Sequence, residues 1–311
     1  MTFVVSKSLC KTLYMIVFFF TRIFVEIFRF VPFWLVYIIS DIIRFILFDI
    51  FKYRKNVISR NLSLSFPEKS EKELKKISNE FYKNFTDILL EAIKGFTMSE
   101  KELLKRYKVL NAHVLDKYYD KGQSVISLAG HYTNWEWGII IGKKTKHLAG
   151  TIYKPLTNKY LNNYLKGKRE RFGMKLISTK QTRRVFSNIK EPVSVLLIAD
   201  QIPSPDTFRK AIWVNFLGQD TPCIHGPEAY SKKMNMPTVF YKYHRIKRGF
   251  YTLEIVELND NPNDVEDGVI TKLYMGMLEE VIRENPANWL WSHKRWKLKM
   301  ENDKIVPNSI Y

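Results

Sequence analysis

Cysteine is nearly absent from this chain: there are two in 311 residues, Cys10 in the apolar N-terminus and Cys223 far from it. That implies no disulfide framework and no cysteine-based metal site, and it suits a reducing cytoplasm. Also lacking is an uninterrupted apolar run of the roughly 20 residues that a spanning helix needs. The chain has no Gly-x-Ser-x-Gly elbow, no reactive cysteine context and no His-Glu-x-x-His helix. A covalent serine or cysteine nucleophile and zinc hydrolysis are therefore unsupported. Zinc-finger spacings and the RNA-recognition aromatic motif are missing as well, which ranks nucleic acid last among partners. No internal repeat or low-complexity linker interrupts the chain, whose length suits one large domain with an appendage.

Acid is scarce in one place above all. Residues 143–190 hold fourteen Lys/Arg against the single acid Glu170, and so carry +13 of the formal net charge of +19. A run of bases is ordinarily a solvated face. This density points instead to an anionic partner, and anionic lipid or an acidic carrier protein fits electrostatically.

Residues 13–51 are very apolar, with Arg22, Glu26 and Arg29 breaking the first half, Asp41 and Arg44 the second, and Pro32 between them. The first three fall at i, i+4, i+7 and form one stripe, with the acid between two bases. Asp41 and Arg44 are an i, i+3 pair. Paired charges on single faces suggest a helix–Pro–helix membrane anchor over residues 1–55, lying in the interface or entering the bilayer with its charges toward protein. A buried soluble helical pair is the alternative. A cleaved signal peptide is disfavoured because no small-residue cleavage site follows the apolar stretch.

Leu74, Ile77, Phe81, Phe85, Ile88, Ala92 and Phe96 recur every three or four residues, which predicts an amphipathic helix over 71–96. Beyond it, strands are expected at 125–128, 148–153, 193–199, 238–244 and 251–258. Helices are expected at 135–141, 158–171, 182–189, 227–233 and 265–283. This alternation predicts an α/β fold with a mainly parallel central sheet flanked by helices.

Gly130-His131-Tyr132-Thr133-Asn134-Trp135-Glu136-Trp137 follows the first of those strands. Five residues on a continuous helix is about 140° of rotation, so His131 and Glu136 would not share a face there. They can meet if His131 sits in the strand-to-helix turn and Glu136 on the first helical turns. The pair then fits general-base catalysis, with the imidazole taking a proton and the carboxylate fixing its tautomer. Alone, this spacing is weak.

Lys154 closes the next strand and could contact a phosphate or oxyanion, or be an ordinary loop lysine. Arg169 and Arg171 end a helix inside the basic stretch. Asp200 ends the 193–199 strand, where an acid could ligate, orient a base or cap a loop. Phe216-Leu217-Gly218 to Gly226-Pro227 reads as a turn-rich loop entering a helix. His293 and Arg295 lie in Trp289–Lys297, a mixture of aromatics and cations that is either a packed tail with snorkelling bases or a lipid or carrier contact.

Six blocks in order carry a resemblance. They are Arg60-Asn61-Leu62 with Phe66-Pro67; His131 to Glu136 with Asn134-Trp135; Tyr153-Lys154-Pro155 with Asn158; Asp200-Gln201; Phe216, Gly218 and Gly226-Pro227; and Trp291-x-His293-x-Arg295-Trp296-Lys297. On them the chain resembles the bacterial lipid A late acyltransferases, within the wider lysophospholipid-acyltransferase-like group. Lys154 stands where that pattern usually has arginine, which keeps the charge but loses bidentate geometry. The resemblance implies that residues 56–311 form an acyltransferase domain at the bacterial inner membrane, on the cytoplasmic face. It implies acyl transfer from an acyl carrier protein thioester to a hydroxyl of an anionic glycolipid, with no cofactor and no metal. Catalysis would fall to His131 and Glu136. Substrate binding would fall to Asn134, Lys154, Arg169, Arg171, Asp200, His293 and Arg295. A phospholipid or aminolipid acceptor is the alternative, followed by a non-catalytic protein that binds anionic lipid.

Overall fold

A computed structural model describes residues 7–301 and 304–309. The first six residues of the expected anchor, and the side chain of Cys10, lie outside that description. Five α-helices come first, with a π-helical segment over Phe45–Ile50 between the second and third: α1 (Lys7–Phe28), α2 (Phe33–Arg44), α3 (Lys55–Ser65), α4 (Glu71–Gly95) and α5 (Glu100–Arg106). Then follow β1 (Tyr107–Val109), α6 (His113–Tyr119), β2 (Val125–Ala129), β3 (Leu148–Tyr153), α7 (Lys159–Glu170), β4 (Lys175–Ser178), α8 (Thr182–Phe186) and β5 (Val193–Ile198). The last part holds β6 (Ile212–Phe216), β7 (Gln219–Cys223), α9 (Gly226–Met234), β8 (Thr238–Lys247), β9 (Phe250–Asn259), α10 (Val269–Glu284), β10 (Leu298–Glu301) and β11 (Lys304–Pro307).

The central sheet runs β1-β9-β8-β2-β5-β3-β4, and every pair in it is parallel except β8 with β9. The mainly parallel α/β expectation therefore holds. β2 is Val-Ile-Ser-Leu-Ala, buried throughout, as a strand covered on both faces must be. From β2 the chain leads to β3 beyond β5, and from β5 it leads to β8 beyond β2. The carboxyl ends of β2 and β5 thus flank the crevice where such sheets place ligands.

α4 starts at Ser70, whose hydroxyl takes the Glu73 amide while Glu73 returns to the Ser70 amide. It ends where Gly95 lets the Trp137 indole close in, since a Cβ there would lie 2.6 Å from Trp137 Nε1. The segment over 212–223 is a β-hairpin, β6–β7, rather than a loop, turning at Leu217 and Gly218, both at positive φ.

α1 and α2 are separate helices with Pro32 before the second, as the sequence predicts. Among the described residues no helix is long and apolar enough to cross a membrane. Glu26 of the charged stripe faces protein, 2.8 Å from Lys168 on α7. Much of the apolar face is left open: Phe20 and Trp34 are each 65 % exposed and Phe30 82 %.

Candidate active site

His131 lies two residues past β2 and Asp200 two past β5, and the pairing of Ala129 with Ile198 sets them side by side. Gly130 makes room for this, because a Cβ there would lie 2.6 Å from Leu278 and 3.3 Å from Asp200 Oδ2. The Asp200 carboxylate accepts from the His131 amide and the Trp289 indole, each at 2.8 Å, on Oδ2. Its Oδ1 lies 2.6 Å from His131 Nδ1. An ionised carboxylate only accepts, so Nδ1 carries the proton and Nε2 keeps its lone pair.

Burial alone would push the Asp200 carboxyl up. The His131 charge and the hydrogen bonds from its ring, from Trp289 and from the His131 amide instead hold it at about 2. Burial likewise works against the His131 imidazolium, but Asp200, followed by Glu136, outweighs it and the ring sits above its ordinary value. Trp135 meets the imidazole edge-on, with ring centroids 5.0 Å apart.

The turn itself is strained and clamped. Thr133 is a β-branched residue at φ 50°, and its amide donates to Asn288 O at 2.9 Å. Tyr132 bridges to Trp289 and donates its hydroxyl to Val281 O. The loop after α10 is tied in turn to α3, where Asn61 donates to Trp291 O and His293 O. The Arg60-Asn61-Leu62 block thus braces the tail behind the site.

Glu136 does not reach the imidazole as a hydrogen-bond partner. It lies on a 3₁₀ helix over Trp135–Lys143 and is forked by Arg169, with Nε to Oε2 at 3.0 Å and Nη2 to Oε1 at 2.8 Å. The expectation that Glu136 fixes the His131 tautomer is corrected: the strand register supplies Asp200 for that place. Glu136 remains near enough to favour the imidazolium.

The substrate-binding expectations divide. Lys154 and Arg169 line a cleft of about 400 Å³ with His131, Trp135, Glu136 and Gln201. Asn134 is fully buried: its amide donates to Glu91 Oε2 at 2.8 Å, and its side-chain oxygen caps the 3₁₀ helix at Trp137 N. It shapes the turn instead of lining the cleft. Arg171 points away to Gly95 O at 2.6 Å and stacks on Phe172. Asp200 is 2 % exposed and serves the imidazole. His293 lies behind the site, its Nε2 3.4 Å from the Ile202 amide, and burial with the Arg295 charge holds it down at about 4. Arg295 is fully buried against Cys223 Sγ at 3.6 Å.

A second space, apolar and about 100 Å³, opens on the other side of the same residues. Phe81, Phe85, Ile88, Leu89 and Ala92 of α4 and Trp289 and Leu290 of the tail line it, together with His131, Trp135 and Glu136. The imidazole therefore stands where an apolar pocket meets a basic cleft. Three contributors carried no individual role in the sequence reading: Trp289, Gln201, whose amide lies 3.4 Å from His131 Nε2, and Glu91. The signal for Glu91 was present as an acid set into the apolar stripe of α4.

Among the described residues no group of His, Cys, Asp and Glu is arranged to hold a metal ion. Comparison with individual curated proteins returns no match. The family model described as bacterial lipid A biosynthesis acyltransferase matches residues 4–298, nearly the whole chain, and the protein belongs to that family.

Proposed function

We propose that this protein moves a fatty acyl chain from an acyl carrier protein thioester to a hydroxyl of a lipid A precursor, with His131 as general base. The observation that carries this reading is the placement of His131. Its Nδ1 is tied to a buried Asp200, and its ring lies between an apolar pocket and a basic cleft.

The acceptor hydroxyl gives its proton to Nε2 as its oxygen attacks the thioester carbonyl. The tetrahedral intermediate collapses with loss of the carrier thiolate, which takes the proton back from the imidazolium. Ester and free thiol are the products, and no bond to the protein forms. Asp200 stays ionised throughout and stabilises the imidazolium, as a buried acid behind a histidine does in hydrolases. Backbone amides of the turn or Lys154 would face the developing oxyanion. Arg171 is committed to Gly95 O and takes no part in it. The apolar pocket along α4 suits the acyl chain, and Lys154 and Arg169 suit the acceptor's phosphates.

The open apolar face of α1 and α2 fits a bilayer surface, which we take to be the bacterial inner membrane with the catalytic domain on its cytoplasmic side. α7, one wall of the basic cleft, packs on α1 through Asn158 to Tyr14 O and Lys168 to Glu26. A membrane-held acceptor would therefore meet the cleft without leaving the lipid. Mass spectrometry of lipid A after gene deletion tests the acceptor: loss of one acyl chain is expected. An unchanged lipid A with altered phospholipid would move the activity to the alternative acceptor.

A further inference from the structure

Glu91 is a wholly buried carboxyl near the C-terminal end of α4, and the reaction as described does not use it. Three groups donate to it from three directions. The Asn134 amide donates to Oε2 at 2.8 Å from the catalytic turn, and the Tyr251 hydroxyl donates to the same oxygen at 2.6 Å from β9. The Tyr37 hydroxyl donates to Oε1 at 3.1 Å from α2. The Glu91 carbonyl also takes the Trp137 indole at 2.9 Å.

The cations nearby are spent elsewhere: Arg245 and Arg248 pair with Asp87 one turn earlier on α4, and Arg248 reaches Asp41 on α2. A carboxyl kept in the core without a cation is poor value for stability, since an apolar residue of similar size would serve as well. What it does secure is geometry. Tyr37 belongs to the helix that presents Trp34, Ile38 and Ile42 to solvent, and Asn134 caps the helix that carries Trp135 and Glu136.

We propose that Glu91 is a positioning residue for acyl transfer: through Asn134 it orders the turn bearing His131, and through Tyr37 it makes that order depend on how α2 is seated. The proposal rests on the reading of α1 and α2 as the bilayer-facing part. A carboxylate with three donors matches this task, because its two oxygens turn as one rigid plane, so a shift of the Tyr37 hydroxyl on Oε1 re-aims the Oε2 that takes Asn134. Burial pushes the Glu91 carboxyl up to about 7, against the pull of Tyr251, Arg245 and Asn134.

The test compares full-length wild type, Tyr37→Phe and Glu91→Gln by amide hydrogen exchange over residues 131–137, with and without vesicles of anionic phospholipid. Tyr37→Phe removes only the hydroxyl between α2 and Glu91. In wild type, bound vesicles should slow exchange at the turn about tenfold, the worth of one charge-assisted hydrogen bond. Tyr37→Phe should float with the vesicles as wild type does, yet show under about a twofold change at the turn. Glu91→Gln should exchange about tenfold faster in both conditions. The proposal is overturned if Tyr37→Phe responds like wild type, if Glu91→Gln exchanges at the wild-type rate, or if wild type shows no response to vesicles. Failure of the acyl-transfer reading would show separately, as the expected exchange behaviour in a protein that transfers no acyl group.

Discussion

At the scale of single residues, the decisive pairing is His131 with Asp200. The base proposed for His131 works only when neutral, and its ring titrates above the ordinary 6.5 because Asp200 outweighs burial. The rate at limiting substrate should therefore climb with pH along an acid limb centred above 6.5. Asp200→Asn removes the charge that raises the ring and leaves burial in command. The limb should then move below 6.5, and the plateau should fall by about 10² to 10⁴-fold. Glu136→Gln should move the limb less, because Glu136 contributes after Asp200 and its carboxylate is shared with Arg169. A pH–rate profile of the three proteins checks this; a limb that stays in place in Asp200→Asn would remove Asp200 from the role.

At the scale of elements, α4 and the 3₁₀ helix over Trp135–Lys143 shape the site from either side. Gly142 ends that helix against the backbone of the α7–β4 loop, and a Cβ would sit 2.7 Å from both Met174 N and Phe172 O. Backbone cannot swing aside as a side-chain tip can, so Gly142→Ala should cost at least about 1–3 kcal/mol, read as a lower unfolding midpoint in urea. Ala92 lines the apolar pocket of about 100 Å³. Ala92→Leu should fill much of it and shift preference toward shorter acyl donors, measured by competing thioesters of different length. No shift would move the acyl chain to another place.

Which elements were legible follows from their length. β2, β3, β5, β8 and β9 are apolar runs that announce themselves. β1 and β4, of three and four residues, are too short for a pattern to emerge. The β6–β7 hairpin hides behind its turn residues. The histidine was legible from its place after a buried strand; its acid was not, because Asp200 is 69 residues away and only the β2–β5 register joins them. Local spacing offered Glu136 instead. The resemblance offers Asn134, Arg171 and Arg295 as substrate contacts, but a polar group in a motif looks the same whether it faces a cleft or, as these three do, holds the structure.

At the scale of the whole molecule, an apolar helical face, a basic cleft and the imidazole follow one another. On the proposed bilayer-facing reading, a protein of net charge +19 should bind anionic vesicles more weakly as salt rises. Phe20→Glu with Phe24→Glu, which puts two acids on the open face of α1, should weaken vesicle binding at least about tenfold while leaving the unfolding midpoint near wild type. Equal binding in a flotation assay would take α1 off the bilayer. The chemistry itself is tested most directly by purified protein given an acyl carrier thioester and a lipid A precursor, with the glycolipid read by mass spectrometry. Wild type should add one acyl ester and His131→Ala should add none above the uncatalysed background. Acyl transfer by His131→Ala at the wild-type rate would contradict the account.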